Sequence, residues 1–215
     1  MTEWQGFIGK SMVQRDVLTP GLAQRHAATL DLPLVDGAAL PGIHWCLYLP
    51  EATTAELGED GHPRRDVAGS FLPPIPLPRR MWASSNVEFL AAIPVGAAVE
   101  RTSTIASITA KSGGSGPLVF VTVEHVTRVG GDEAVREMQN IVYREAAASG
   151  VASDRQAPPP APPLKGRGEE GAIDPAIWPH QHRIVPTPPL LLRFSALTFN
   201  AHRIHYDLPY AQHDE

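Results

Sequence analysis

Apolar and polar residues alternate along four stretches of the chain: Met81 to Phe89, Val99 to Lys111, Leu118 to Val129 and Val135 to Glu145. β-Branched residues dominate them, as in Val99/Arg101/Ser103/Ile105 and Val119/Phe120/Val121/Val123/His125/Val126. Each stretch therefore predicts a strand. Turn residues separate them: Pro94-Val95-Gly96, then Ser112-Gly113-Gly114-Ser115-Gly116-Pro117, then Gly130-Gly131-Asp132. Separators this short make neighbouring strands antiparallel. Upstream the period changes. Leu22, Ala23, His26, Ala27 and Leu30 recur at helical spacing behind Thr19-Pro20, a helix start with proline at its first position. Ala38 to Pro50 is mostly apolar and aromatic and is expected to be a buried helical segment. The expected fold class is α+β, an antiparallel sheet wrapped around a central helix.

Between the helices and the strands, residues 51–80 carry Gly58, Gly61, Pro63, Gly69 and the run Pro73-Pro74-Ile75-Pro76-Leu77-Pro78. Such a stretch cannot sustain a regular ladder and reads as loop, with the proline run as a rigid flap over a pocket. Beyond the strands, residues 146–171 are rich in Ala, Pro and Gly and contain Lys165-Gly166-Arg167-Gly168-Glu169-Glu170, which predicts a solvated linker. From Pro175 to Thr198 the chain is expected to be extended, with Leu190-Leu191-Leu192 as the first strand of a second unit. The domain organisation is thus 1–145 as a first unit, 146–171 as linker and 172–215 as the start of a second.

Composition narrows the function. The formal charge of -5 argues against nucleic acid as a partner, because a phosphate backbone calls for a basic face. No apolar run reaches the ~20 residues that span a bilayer, so no membrane partner is expected. The N-terminus has neither the basic start nor the apolar block of a signal peptide. The lone cysteine, Cys46, excludes an internal disulfide framework and fits a reducing compartment, so a cytoplasmic location is expected. Its apolar surroundings suggest a buried structural thiol, not a nucleophile.

The densest chemistry lies near the C-terminus, in Phe194-Ser195-Ala196-Leu197-Thr198-Phe199-Asn200-Ala201-His202-Arg203-Ile204-His205-Tyr206-Asp207. A carboxamide, two imidazoles, a guanidinium, a phenol and a carboxylate fall within eight positions. Buried polar groups need partners, so such a cluster suggests a strand delivering a catalytic loop into a pocket. His202 and His205 at i, i+3 offer two nitrogen ligands for zinc. His180, His182 and His213 are too scattered in sequence to supply a compelling third. No metal and no cofactor are therefore expected.

That motif resembles the hydratase motif of MaoC-like (R)-specific enoyl-thioester hydratases. It is most similar to the branch of mitochondrial-type 3-hydroxyacyl-thioester dehydratases and the bacterial mesaconyl-C4-CoA and itaconyl-CoA hydratases. Three further segments resemble the same branch: Pro73 to Ala83, Lys111 to Val121, and Gln139-Asn140-Ile141-Val142-Tyr143-Arg144. The resemblance implies two hotdog units in tandem, the first shaping the acyl pocket and the second carrying the catalytic loop. Asn200 stands where the wider family has aspartate, and the mitochondrial-type branch shares the asparagine. The resemblance also implies a helix and further strands after the motif. With the chain ending at Glu215, the second hotdog is expected to be incomplete and residues 172–215 to be loosely docked or disordered.

The reaction so implied is reversible addition of water to a 2-enoyl-CoA or acyl-carrier thioester. His205 suits the base that exchanges a proton with water, and Asn200 the group that orients that water. His202, Arg203, Tyr206, Arg79, Arg80 and Trp82 are candidate substrate-binding residues, the arginines for anionic groups such as CoA phosphates. Arg203 and Tyr206 are also candidates for supporting the loop, and a simply solvated Arg203 is an equally open reading. Asp207 is read as a cap for the following turn. The expected partners are the thioester substrate and either a second copy of the chain or a partner chain completing the second hotdog. Two other functions remain open. One is a non-catalytic acyl-thioester-binding or partner subunit. The other is a hotdog thioesterase, disfavoured because Ala38 to Tyr48 offers no carboxylate, only His44.

Overall fold

The computed structural model describes residues 4–64, 70–113, 116–145 and 184–213. Five strands, β1 (Ser11–Val17), β2 (Arg79–Phe89), β3 (Ala98–Gly113), β4 (Gly116–Val129) and β5 (Asp132–Arg144), form one sheet. Their order is β1-β3-β4-β5-β2, and every neighbouring pair is antiparallel. Three helices accompany the sheet: α1 (Pro20–Thr29), α2 (Pro188–Leu197) and the short α3 (Leu208–His213). Contacts divide the chain into a main unit, Met1–Ala146 with Thr187–Glu215, and a second unit, Ala147–Pro186. Of the second unit, residues 184–186 are described, and they are exposed without regular structure. The expected linker at 146–171 lies outside the described residues.

The four expected strands are present with nearly the expected bounds. Gly130 and Gly131, at φ 60° and 100°, close the β4–β5 hairpin as a two-residue loop between the paired Val129 and Asp132. Register places Ile105, Val123 and Gln139 in one row, Ile108, Val121 and Ile141 in the next, and Val119 opposite Tyr143. These side chains make the inner face, where Ile105, Val121, Val123 and Tyr143 are at most 1% exposed. Burying each such side chain is worth about 1.5–3 kcal/mol.

Two apolar clusters cover that face. At one end Leu18, Ala23, Ile43, Cys46, Leu47 and Ile93 pack on Val99, Ala134 and Val135. At the other, Ile75 and Leu77 pack on Ile105, Ile108, Val121, Ile141 and Tyr143. The proline run thus closes the core directly: Pro73, Ile75 and Leu77 are buried while Pro74, Pro76 and Pro78 face outward. Proline at the outward positions needs no ladder partner for an N–H it lacks.

Two local expectations are corrected, and one strand joins those expected. The segment Ala38 to Pro50 is not a helix: it holds only a 3₁₀ turn, Ile43–Cys46. Gly42 before it sits at φ 93°, and Leu47 after it is extended, so Pro41-Gly42 aborts the helix and the aromatics pack one by one. Leu190-Leu191-Leu192 is helical, not the opening of a strand. Thr187 accepts the Leu190 amide at its hydroxyl, and Pro188 and Pro189 preset the first turn of α2. A short apolar run does not distinguish the two states, and the cap decides. Strand β1, pairing with β3 along Ser11–Val17, is not predicted because polarity does not follow burial there: Val13 and Val17 are exposed while Gln14 and Asp16 are partly buried.

Residues 187–213 dock on the main body. Leu197 packs against the first cluster, α2 lies on α1, and Tyr210 is buried. The docking depends on a close backbone approach: a Cβ on Gly61, at φ 85°, would stand 2.0 Å from the Ala201 carbonyl oxygen. Gly61→Ala is therefore expected to part the turn from the C-terminal segment. Limited proteolysis should then cut residues 187–213 faster in the variant, and an equal cutting rate would show that the approach is dispensable.

A second prediction concerns His26, 1% exposed with neither ring nitrogen hydrogen-bonded among the described residues. Burial, and then His44, hold its pKa below the ordinary 6.5. A lowered folded pKa means the unfolded chain binds the proton better, so stability is present above 6.5 and is lost as pH falls from there through the folded value. His26→Leu should flatten that acid loss in urea melts run between pH 7 and 5. An unchanged pH dependence would remove His26 from the cause.

Candidate functional site

The loop that carries the motif begins where α2 ends. The Asn200 amide donates to the Ser195 carbonyl at 2.9 Å and the Phe199 amide to the Ala196 carbonyl at 3.1 Å. This is a Schellman ending, and it requires Phe199 to be left-handed, at φ 48°. For a residue with a Cβ that conformation costs roughly 1–2 kcal/mol. The Ser195 hydroxyl also donates to the Asn200 carbonyl, at 3.1 Å, so Asn200 is held on both sides of its backbone.

Its side chain is fixed as well. The His202 amide donates to Asn200 Oδ1 at 3.0 Å, and Asn200 Nδ2 lies 3.1 Å from His205 Nε2. A backbone N–H can only donate, so the oxygen must face it and the amide nitrogen must face the imidazole. His205 Nε2 is then an acceptor, its lone pair directed at the carboxamide. Burial, and then His202, keep the His205 pKa below the ordinary 6.5, which favours the neutral, basic form near pH 7. Both side chains remain open to solvent.

Arg203 shapes the other side of the loop. Its Nε and Nη2 reach Asp207 Oδ2 at 3.0 and 2.7 Å, its Nη1 donates to the Glu59 carbonyl at 3.2 Å, and its guanidinium lies 4.3 Å from the Tyr210 ring centre. Among the alternatives for Arg203, this favours support of the loop. Asp207 Oδ1 accepts the Tyr210 amide and caps α3, as expected. The Arg203 bonds and that amide hold the Asp207 carboxyl below the usual range. Arg79 donates to the Tyr210 hydroxyl at 3.3 Å, which ties the end of the proline run to the same region. Arg80 places positive charge near His62. Tyr206 is exposed, and Trp82 turns elsewhere, to Ser85 at 2.9 Å and the Trp45 ring at 5.7 Å.

The turn at 58–63 belongs to the site and was not anticipated. The Arg203 amide donates to the Asp60 carbonyl at 2.9 Å, and the His62 ring stacks on buried His202 with centres 4.1 Å apart. Asp60 accepts the His62 amide at 3.0 Å and faces His62 Nδ1 at 3.2 Å. Burial raises the Asp60 pKa, but the His62 amide and ring and then His202 pull it below the usual carboxylate range. In the sequence these residues sit in Gly58-Glu59-Asp60-Gly61-His62-Pro63, which carries only a turn signal. Cys46, by contrast, is as expected: buried, with its thiol pushed up to about 11 by burial.

Residues 42–215 match the family model of hydroxyacyl-thioester dehydratase type 2. The chain is 42% identical over 218 residues to the mesaconyl-C(4)-CoA hydratase of Chloroflexus aurantiacus, covering 99% of this chain and 71% of that protein. Two crystal structures of HtdX from Mycobacterium tuberculosis share its fold. One gives a TM-score of 0.54 at 17% identity over 94% of this chain and 66% of that one. The other gives 0.55 at 14%, over 94% and 68%. The antiparallel sheet with few helices is accordingly an α+β hotdog fold. From the motif and the match over most of its length, the chain belongs to the hydroxyacyl-thioester dehydratase type 2 family, whose chemistry is that of a hydratase/dehydratase.

Proposed function

We propose that this chain acts on a 2-enoyl-CoA thioester, adding water at C3 and a proton at C2, with a short branched dicarboxylic acyl group as the substrate class. The 3.1 Å contact between Asn200 and His205 supports the catalytic part, because it presents a neutral imidazole lone pair beside a carboxamide. The substrate part rests on the relative from Chloroflexus aurantiacus, a mesaconyl-C(4)-CoA hydratase. In this reading 1–145 is the acyl-binding unit and 172–215 opens the unit that carries the chemistry.

His205 takes a proton from water as the oxygen bonds to C3. The C2–C3 π electrons move toward the thioester carbonyl, whose oxygen gains enolate charge. The protonated imidazole then returns a proton to C2, so the base is regenerated and atoms balance. Asn200 donates to the imidazole in the resting enzyme and, once substrate enters, holds the water through the second lone pair of Oδ1. Arg79 and Arg80 supply positive charge for the anionic parts of the thioester.

Loss of enoyl absorbance with crotonyl-, mesaconyl- and itaconyl-CoA tests this directly. Hydration is the expected outcome; release of free CoA would identify a thioesterase, and binding without turnover a non-catalytic subunit. His205→Ala should lower the hydration rate by about 10²–10⁴-fold, the usual contribution of a general base. Retention of more than about a tenth would remove His205 from the mechanism on that scale. Asn200→Asp should keep measurable turnover, since it preserves an acceptor for water, whereas Asn200→Leu should not.

The pH dependence follows from the same group. Activity needs neutral His205, whose pKa lies below 6.5. kcat/KM should therefore be flat through pH 7 and fall about tenfold per unit only below that depressed value. An acid limb centred above 6.5 would show that another group sets the base.

A further inference from the structure

Asp60, His62 and His202 meet across two segments that are 140 residues apart in sequence, on the main unit. One ligand atom from each lies within 4.8 Å of the other two. We propose that these three side chains form a binding site for one divalent transition-metal ion of the zinc class. The inference stands apart from the hydratase reading, because none of its steps passes through the metal.

The donor set comes first. Two imidazole nitrogens and one carboxylate oxygen suit zinc and its neighbours, whereas calcium and magnesium take oxygen ligands almost alone. Three protein ligands leave a fourth tetrahedral position for water. Next is distance. Tetrahedral ligands ~2.0–2.1 Å from zinc stand roughly 3.3 Å apart. The three atoms, already within 4.8 Å of one another, need only side-chain rotation to reach that spacing. The backbone is already in place. The Arg203 amide bonds the Asp60 carbonyl at 2.9 Å, and Gly61 lets the turn meet Ala201.

Charge and burial agree. Asp60 supplies the one negative side chain. Among the described residues, Arg203 is paired with Asp207, and Arg80 places opposing charge near His62. His202 is 9% exposed, and Asp60 and His62 are half-buried, so the ion would be held partly away from water while an entry path stays open. No metal is expected from the sequence, where His202 and His205 are the only spaced pair weighed, and that pair is not the one the fold brings together. Those rings lie 6.0 Å apart edge to face, and His205 Nε2 faces Asn200. A bound ion would fasten the turn at 58–63 to the loop that positions Asn200 and His205.

The test uses the whole chain, stripped with a chelator and titrated with zinc chloride by calorimetry. Cobalt(II) serves as a spectroscopic reporter of nitrogen and oxygen ligation. One ion per chain is expected, with a rise in melting temperature. Affinity should fall at least tenfold in His62→Ala and in Asp60→Asn, and persist in His205→Ala. Circular dichroism of the metal-free variants checks folding, and His62→Gln, closer in size, decides if His62→Ala is unfolded. Binding that is absent, or equal in the wild type and the folded His62 variant, or lost in His205→Ala alone, overturns the proposal. Turnover is read separately, so failure of the metal site leaves the hydratase assignment untouched, and the reverse holds as well.

Discussion

The site depends on one close approach of backbone to backbone. Gly61 must stand against Ala201 so closely that a single Cβ would lie 2.0 Å from the carbonyl oxygen. Around that point gather the Arg203–Asp60 amide bond, the His62–His202 stack and the Arg203–Glu59 bond. Each is a modest interaction, of order 1 kcal/mol net for a neutral hydrogen bond. Together they fix a loop whose own sequence is not regular structure. Without them, Asn200 and His205 would keep the bonds to α2 and within their own loop but lose the ties to the turn at 58–63. A loop that holds its side chains in one arrangement needs a rigid support, and here the support comes from residues 140 positions upstream.

This explains what the sequence could reveal and what it could not. The strands were legible because alternation over nine to thirteen residues with glycine turns has few other solutions. The motif was legible because its residue types are dense and ordered. The turn at 58–63 was not, since Asp-Gly-His-Pro signals a turn of any kind and nothing local says what it will touch. The same limit misled the assignment of Ala38 to Pro50. Its apolar content suits a helix, but Gly42 at φ 93° stops the helix before it begins, and burial comes from separate contacts by Ile43, Cys46 and Leu47. In α2, a threonine cap and two prolines decided the state of the Leu190-Leu191-Leu192 run more than the run itself.

The inner face of the sheet carries a second constraint. Between its two apolar clusters runs a polar row. His125 sits between the Ser103 hydroxyl at 2.8 Å and Gln139 at 3.3 Å. Glu137, 4% exposed, accepts from the Ser85 hydroxyl and the Trp45 indole, the latter at 3.2 Å, and lies 3.6 Å from His44. Burial raises the Glu137 pKa, while His44 and Ser85 bring it below the ordinary carboxylate value. Groups like these add little net stability, because desolvation offsets most of what their bonds gain. They do penalise error. A one-residue slip of β5 would turn Glu137 to the outer face and leave the Ser85 and Trp45 donors without it.

The carboxamide at 200 follows from the same kind of accounting of donors and acceptors. Its oxygen is claimed by the His202 amide, so its nitrogen must face His205. An aspartate in this place would keep the first bond and replace the second by an acceptor, which requires a proton on His205 Nε2. The imidazole would then no longer present a lone pair toward position 200. Asparagine and aspartate at this position therefore prepare opposite tautomers of the same histidine in the resting loop. In the mechanism we propose, asparagine leaves His205 able to take a proton before water arrives. With aspartate, the proton must first move. Under that proposal, the choice of residue at 200 sets which proton shift precedes hydration.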